Sequence, residues 1–180
     1  RQRNLGVSNA GGDIIIFFDD DVELTPQCIG SFVRSFAELP ADVVAVCGRI
    51  LNVAPDLSTP RKRLFYAIDR LLHKLFMMPD EDERGYFKAS TASVRPHLGD
   101  EPGYTEVISG GCSGYRREVF TRLKFDEYFS AYAYAEDVEF SRQIANAGWR
   151  MYYQPEASLY HYPSLTARIS RQASSKMLVE

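Results

Sequence analysis

Asp13-Ile14-Ile15-Ile16-Phe17-Phe18-Asp19-Asp20-Asp21 decides the architecture, because five β-branched and aromatic residues end abruptly in three adjacent carboxylates. The apolar part reads as a buried strand, and the acids mark where that strand emerges into solvent. Three negative charges at one strand end repel one another, so packing alone does not favour them there. A hard divalent cation, Mg²⁺ or Mn²⁺, resolves the conflict. Such ions take oxygen ligands and leave positions open for phosphate oxygens, which points to a phosphate-bearing substrate. A solvated acidic turn is the alternative reading.

Working outward, the pattern before Gly11-Gly12 is helical and already under way at Arg1, so further chain is expected upstream. After the acids, Thr25-Pro26 offers an N-cap followed by proline at the first helical position. Ile29, Phe32, Val33 and Phe36 then recur at helical spacing, and Leu39-Pro40 closes the segment. Residues 43–47 form a second apolar strand. This alternation of helix and strand predicts an α/β fold with a mainly parallel sheet flanked by helices, its acids at the carboxyl edge where open sheets bind ligands.

The bulk properties bound the function. A chain of 180 residues is the size of one domain and can bury a sizeable core. Its net charge of −3, with basic residues dispersed apart from Arg61-Lys62-Arg63, gives no footprint for nucleic acid. Cys28, Cys47 and Cys112 are odd in number and match no metal-site spacing, so they read as buried thiols in a reducing compartment. With no apolar run near the roughly 18 to 20 residues that span a bilayer, and no leader before the first element, the expected location is cytoplasmic, at or near the membrane's cytoplasmic face.

Residues 61–78 carry Leu64, Phe65, Ile68, Leu71, Leu72, Leu75 and Phe76 on one helical face, with Arg63, Arg70 and Lys74 elsewhere. Such a helix either covers the sheet or rests on a membrane as a peripheral contact. Residues 52–60 read as a loop, 79–84 as an acidic turn and 85–106 as short strands and loops broken by Pro96, Gly99, Pro102 and Gly103. From Val107 an apolar stub meets Gly110-Gly111, where backbone can approach a ligand closely or simply turn tightly. A short helix is expected over 116–123, and residues 128–134 are an aromatic approach to Glu136-Asp137. That acid pair opens a helix with Val138, Ser141, Ile144 and Ala145 inward and Gly148 as its stop. Acids in a first helical turn also suit the helix dipole with no further role. Residues 149–153 and 157–161 read as two closing strands.

Together these features suit a metal-assisted transfer: a cation neutralises a leaving diphosphate while a separate carboxylate takes the proton from an attacking hydroxyl. At this point the residues resemble a family 2 glycosyltransferase of the GT-A type, a Rossmann-like nucleotide-sugar fold. Arg3-Asn4-Leu5-Gly6 with Ala10 and Gly12-Asp13 resembles the family's R-N-x-G segment, and Asp19-Asp20-Asp21 with Pro26 its D-x-D strand end. Ser109-Gly110-Gly111 through Phe120 resembles the acceptor-side glycine turn, and Glu136-Asp137-Val138-Glu139 through Gly148-Trp149, Pro155 and His161 the E-D helix and closing strands.

The resemblance implies an inverting hexosyltransferase-like enzyme of cell wall or polysaccharide biosynthesis, with a nucleotide-sugar donor, a saccharide or lipid-linked acceptor and Mn²⁺ or Mg²⁺. It implies Asp21 as principal metal ligand, with Asp19 near metal or nucleotide and His161 as a further ligand. Asp137 would be the base, Glu136 an orienting or acceptor contact, Arg3 and Asn4 donor contacts, and Gly110 and Gly111 the substrate-side turn. The family's first strand and base-binding loop would precede Arg1, so the chain reads as an N-terminally truncated single domain that binds donor weakly or not at all by itself. Residues 1–51 would be the donor and metal part, 52–106 a variable insert and 107–180 the acceptor part.

Two other readings compete. The same run fits the strand D-x-D start of haloacid dehalogenase-like phosphatases, with Asp19 as nucleophile and Asp21 as acid/base, although the glycine-turn and R-N-x-G segments then go unexplained. An inactive scaffold binding a partner through aromatic residues, 13% of the chain, is the non-enzyme reading.

Overall fold

The computed structural model describes residues 2–52, 58–75, 99–128 and 136–162. In chain order these form α1 (Gln2–Asn9), β1 (Ile14–Phe18), β2 (Val22–Leu24), α2 (Cys28–Glu38), β3 (Val43–Ile50), α3 (Pro60–Leu75), β4 (Gly103–Thr105), β5 (Cys112–Arg116), a 3₁₀ turn (Arg117–Thr121), α4 (Glu136–Asn146) and β6 (Arg150–His161). The expected turn at 79–84, the aromatic approach at 129–134 and most of the 85–106 stretch lie outside the described residues.

The α/β alternation is present, but the sheet is mixed rather than mainly parallel. Its order is β1-β5-β3-β6-β2, with β4 on β6. Among the described residues only the β3–β6 pairing is parallel; β1–β5, β3–β5, β2–β6 and β4–β6 are antiparallel. β1 and β3 do run the same way, as the alternation implies, yet β5 lies between them. The reason is legible in β5 itself: Cys112-Ser113-Gly114-Tyr115-Arg116 carries little β-branched signal, so it reads as part of a glycine turn.

Side chains alternate across the sheet and build two cores. On one face Phe17, Tyr115, Phe125 and Phe140 pack with Val44, Ile144 and Tyr153 beneath α4, and Phe125 and Phe140 stack at 4.1 Å. On the other face Ile14, Ile16 and Phe18 join Val46 and Leu159 beneath α2. Here the expected face of α2 is corrected. Cys28, Phe32 and Phe36 point inward with Ser31 and Ser35, while Ile29 and Val33 are half exposed. Gly114 explains the rotation, since a β-carbon there would stand 2.9 Å from the Phe32 ring and 3.2 Å from that of Phe36. The helix settles over a notch that only glycine provides. Thr25 is likewise no N-cap: Gln27 holds that position without a side-chain bond, and the Thr25 hydroxyl meets Ser158 instead.

The two expected closing strands are one strand with a bulge. Cys47 pairs with Tyr153 but Arg49 with Ser158, so two steps on β3 oppose five on β6. Proline at 155, which cannot donate to a ladder, sits within the interruption. The bulge rests on Gly48, where a β-carbon would lie 1.9 Å from the Ala157 carbonyl oxygen and 2.5 Å from the Cys112 sulfur. Thr25 secures it from outside, its N–H and hydroxyl both donating to the Ser158 carbonyl at 3.1 and 2.9 Å. Residues 103–105, within the stretch expected to hold short strands and loops, form β4 on β6. The three cysteines are free and buried, as their spacing suggested, and burial pushes the Cys47 thiol up to about 12.

Gly48→Ala is expected to cost about 1–3 kcal/mol, the range for overpacking a tight core, measured as a lower urea midpoint at unchanged slope. Gly30→Ala, at a helical position with nothing near its β-carbon, should not destabilise.

Candidate active site

The bulge determines where β6 ends. β1 and β6 are separated by β5 and β3, so flat strands would lie roughly 14 Å apart, three spacings of about 4.8 Å. Bent at the bulge, the end of β6 instead pairs with β2 (Val22 opposite His161, Leu24 opposite Leu159). Tyr162 N–H donates to the Asp21 carbonyl at 2.8 Å. His161 is thereby set against the turn that follows β1, with Nε2 2.8 Å from Asp21 Oδ1 and 3.9 Å from Asp19 Oδ2.

One ligand atom from each of Asp19, Asp21 and His161 lies within 4.8 Å of the others. That span is close to the roughly 4.4 Å separating ligands across an ion with bonds near 2.2 Å. Two carboxylates and an imidazole suit Mn²⁺, which accepts nitrogen beside oxygen. Asp20 points outward and is exposed. A residue the sequence did not single out holds this corner together: Asn52, just beyond β3, donates Nδ2–H to the His161 carbonyl at 2.6 Å and accepts the His161 N–H at 2.9 Å. Its amide thus extends the sheet by one side chain. The signal lay in its place, a short amide two residues past a strand end.

The second acidic centre opens α4. Asp137 Oδ2 accepts the Gly110 N–H at 3.0 Å, and Oδ1 accepts the Val138 N–H at 2.9 Å. Ser141, one turn on, donates to the Asp137 carbonyl at 2.6 Å and accepts the Ile108 N–H at 3.0 Å, so α4 and the segment leading into and through the glycines are stitched together twice. The glycine turn is also the bridge to the metal-side acids. A β-carbon on Gly111 would stand 2.5 Å from Asp19 Oδ2, and Asp19 N–H donates to the Gly111 carbonyl at 3.4 Å. Asp19 therefore touches one glycine and Asp137 bonds the next.

Arg3 and Glu136 occupy the inner wall. Glu136 is buried, and Arg3 meets it at 3.4 Å while its guanidinium lies over the Phe125 ring at 5.4 Å. A β-carbon on Gly110 would come within 2.7 Å of that guanidinium. Burial raises the Glu136 carboxyl above its ordinary range, and the positive charge of Arg3 offsets this only in part. Asn4 has a different task from the donor contact its motif implied: its carboxamide donates to the Phe125 carbonyl at 2.8 Å and to Glu127, and accepts the Phe125 N–H at 3.0 Å. With both ends committed, Asn4 braces the segment that leads towards α4.

A mixed α/β sheet with flanking helices, in this order, is the GT-A type of glycosyltransferase fold. The chain belongs to glycosyl transferase family 2, whose profile matches residues 1–124. That match includes the acidic run and sets aside the phosphatase reading. Among solved structures, GalNAc-T7 crystallised with UDP, GalNAc and Mn²⁺ is similar at 18% identity and a TM-score of 0.61, over 92% of this chain and 30% of that one. A197 from STIV is similar at 16% identity and a TM-score of 0.50, over 91% of this chain and 66% of that one. Both likenesses are of fold, and the chain spans less than the full length of either. No curated protein sequence matches it.

The raised Glu136 carboxyl has a thermal signature. Between its unfolded and folded titrations the native state holds more protons than the unfolded one, so this carboxyl's contribution to stability falls as pH rises through that window. Glu136→Gln should therefore gain in Tm relative to the native chain as pH climbs from 4 towards neutrality, about one titration's width. A difference that stays flat across differential scanning runs would remove the burial argument.

Proposed function

We propose that the chain is the catalytic part of an inverting glycosyltransferase that moves a sugar from a nucleoside-diphosphate donor to an acceptor hydroxyl. The observation that carries this reading is the Gly110-Gly111 bridge, with Asp19 against one residue and Asp137 bonded to the other. A donor and an acceptor meeting over those glycines would have a metal-suited acid cluster on one side and the separate carboxylate of Asp137 on the other.

In this reading Asp137 takes the acceptor proton. Each of its oxygens already accepts one backbone N–H and keeps a second lone pair for the hydroxyl. The acceptor oxygen then forms its bond to the anomeric carbon as the bond from that carbon to the diphosphate breaks, and the diphosphate leaves with the electron pair. Asp19, Asp21 and His161 would hold a divalent ion, Mn²⁺ or Mg²⁺, whose charge neutralises the departing diphosphate. Arg3 and Glu136, paired and largely desolvated, shape the wall beneath the glycines. Bare glycine at 110 and 111 keeps that wall flat, since any side chain would collide with Arg3 or Asp19.

The test is a donor screen on a chain extended upstream, using UDP-, GDP- and TDP-sugars with Mn²⁺ or Mg²⁺ and reading released nucleoside diphosphate. Release with none of these donors would favour the scaffold reading. Asp137→Asn is expected to lower turnover about 10²- to 10⁴-fold, the worth of a positioned general base, while Mn²⁺ binding measured by calorimetry stays intact. Turnover that survives the substitution would overturn the base assignment.

Asp21→Ala should abolish Mn²⁺ binding. Asn52→Ala, which releases His161 without touching the ion, should weaken it about 10- to 100-fold, as for other groups that orient metal ligands.

A further inference from the structure

α3 stands apart from both cores. Among the described residues neither hydrophobic cluster includes any of its side chains, and its apolar residues face outward: Leu64 is 62% exposed, Phe65 73% and Leu71 65%, with Ile68 and Leu72 exposed as well. At 100° per residue these five fall within an arc of about 120°. The helix therefore does not cover the sheet, the commoner fate of such a pattern. Its 16 residues also carry Arg61, Lys62, Arg63, Arg70 and Lys74 against the single acid Asp69. In a chain of net charge −3 the helix itself is basic, with the acidic run Asp80-Glu81-Asp82-Glu83 following it in sequence.

We infer that α3 is a docking element for an anionic lipid bilayer, lying in the interface plane with Leu64, Phe65, Ile68, Leu71 and Leu72 among the acyl chains. The charge decides the occupant. A second copy seated on this face would bring two five-cation helices together, and like charges oppose that pairing. An anionic surface attracts the same charges, and the broad aliphatic and aromatic arc suits shallow insertion. No described helix is long and apolar enough to cross a membrane, so contact through α3 would be peripheral. The inference stands without the catalytic reading. Joined to it, α3 begins eight residues after Asn52, the brace of His161, so the cleft would stay within roughly 28 Å of the bilayer at full chain extension. That suits an acceptor anchored in lipid.

The experiment is flotation of the intact chain with phosphatidylcholine vesicles, with and without phosphatidylglycerol. It reads binding and not transfer, so its outcome is separate from that of the donor screen. Binding is expected with the anionic vesicles and should fall with added salt. Arg61→Gln with Lys62→Gln should weaken partition roughly 25-fold, about fivefold for each charge. Phe65→Glu with Leu71→Glu should abolish it while leaving the thermal melt unchanged, because both positions are exposed; if that pair disturbs the melt, Phe65→Ala with Leu71→Ala serves, with at least a tenfold loss expected. Three results would overturn the inference: no flotation with either vesicle, equal flotation with both, or binding that survives loss of the apolar pair. A dimer that dissociates on Phe65→Glu, in a chain that ignores vesicles, would overturn it in favour of self-association.

Discussion

The carbonyl of Ala157 fills the space that a β-carbon on residue 48 would need. The Asp19, Asp21 and His161 corner follows from that close approach, because it lets β6 carry three extra residues, bend, and bring its end round to the turn after β1. Without the bend, His161 would sit three strands from Asp21; with it, the two side chains touch. The surrounding bonds point the same way. Thr25 reaches across to Ser158, the Cys112 thiol donates to the Ala157 carbonyl at 3.6 Å, and Gln154 reaches Ser35 of α2. A bulge leaves backbone groups without ladder partners, and here the Ala157 and Ser158 carbonyls are met by side chains from β5 and the β2–α2 turn.

The second organising device is the glycine pair. Gly110 and Gly111 are short enough to lie between Arg3 on one side and Asp19 on the other, and Ser141 fixes the segment before them to α4. Precision here comes from backbone N–H groups and a buried hydroxyl, which have few rotamers to lose, rather than from long side chains. The aromatic cluster of Phe17, Tyr115, Phe120, Phe125 and Phe140 lies directly beneath and gives the wall a rigid floor.

What the sequence made legible was local order and the family. β1, the helix ending at Gly148 (φ 79°) and the acid and histidine positions could all be read from residue type and spacing. What escaped it was set by long-range packing. Strand β5 hid inside a glycine-rich segment of low strand propensity. The buried face of α2 turned because Gly114, some eighty residues on, opened a notch beneath Phe32 and Phe36. Asn4 matched a motif and read as a ligand contact, whereas its amide closes on Phe125, 121 residues away. Asn52 was passed over because a lone asparagine after a strand is commonplace. Pairings of that sequence separation leave no periodic trace.

The stretch from 53 to 98 has both its neighbours fastened to the same sheet. At one end Asn52 is clasped to His161; at the other Asp100 pairs with Arg49 and the Gly99 carbonyl accepts the Tyr153 hydroxyl at 2.8 Å. A segment whose two gateposts are set independently of its contents can lengthen, shorten or be exchanged at small entropic cost, since closing a loop twice as long adds only about 0.6 kcal/mol. The frame would therefore tolerate changes in the length of that stretch, which it feels mainly through the two fastened ends.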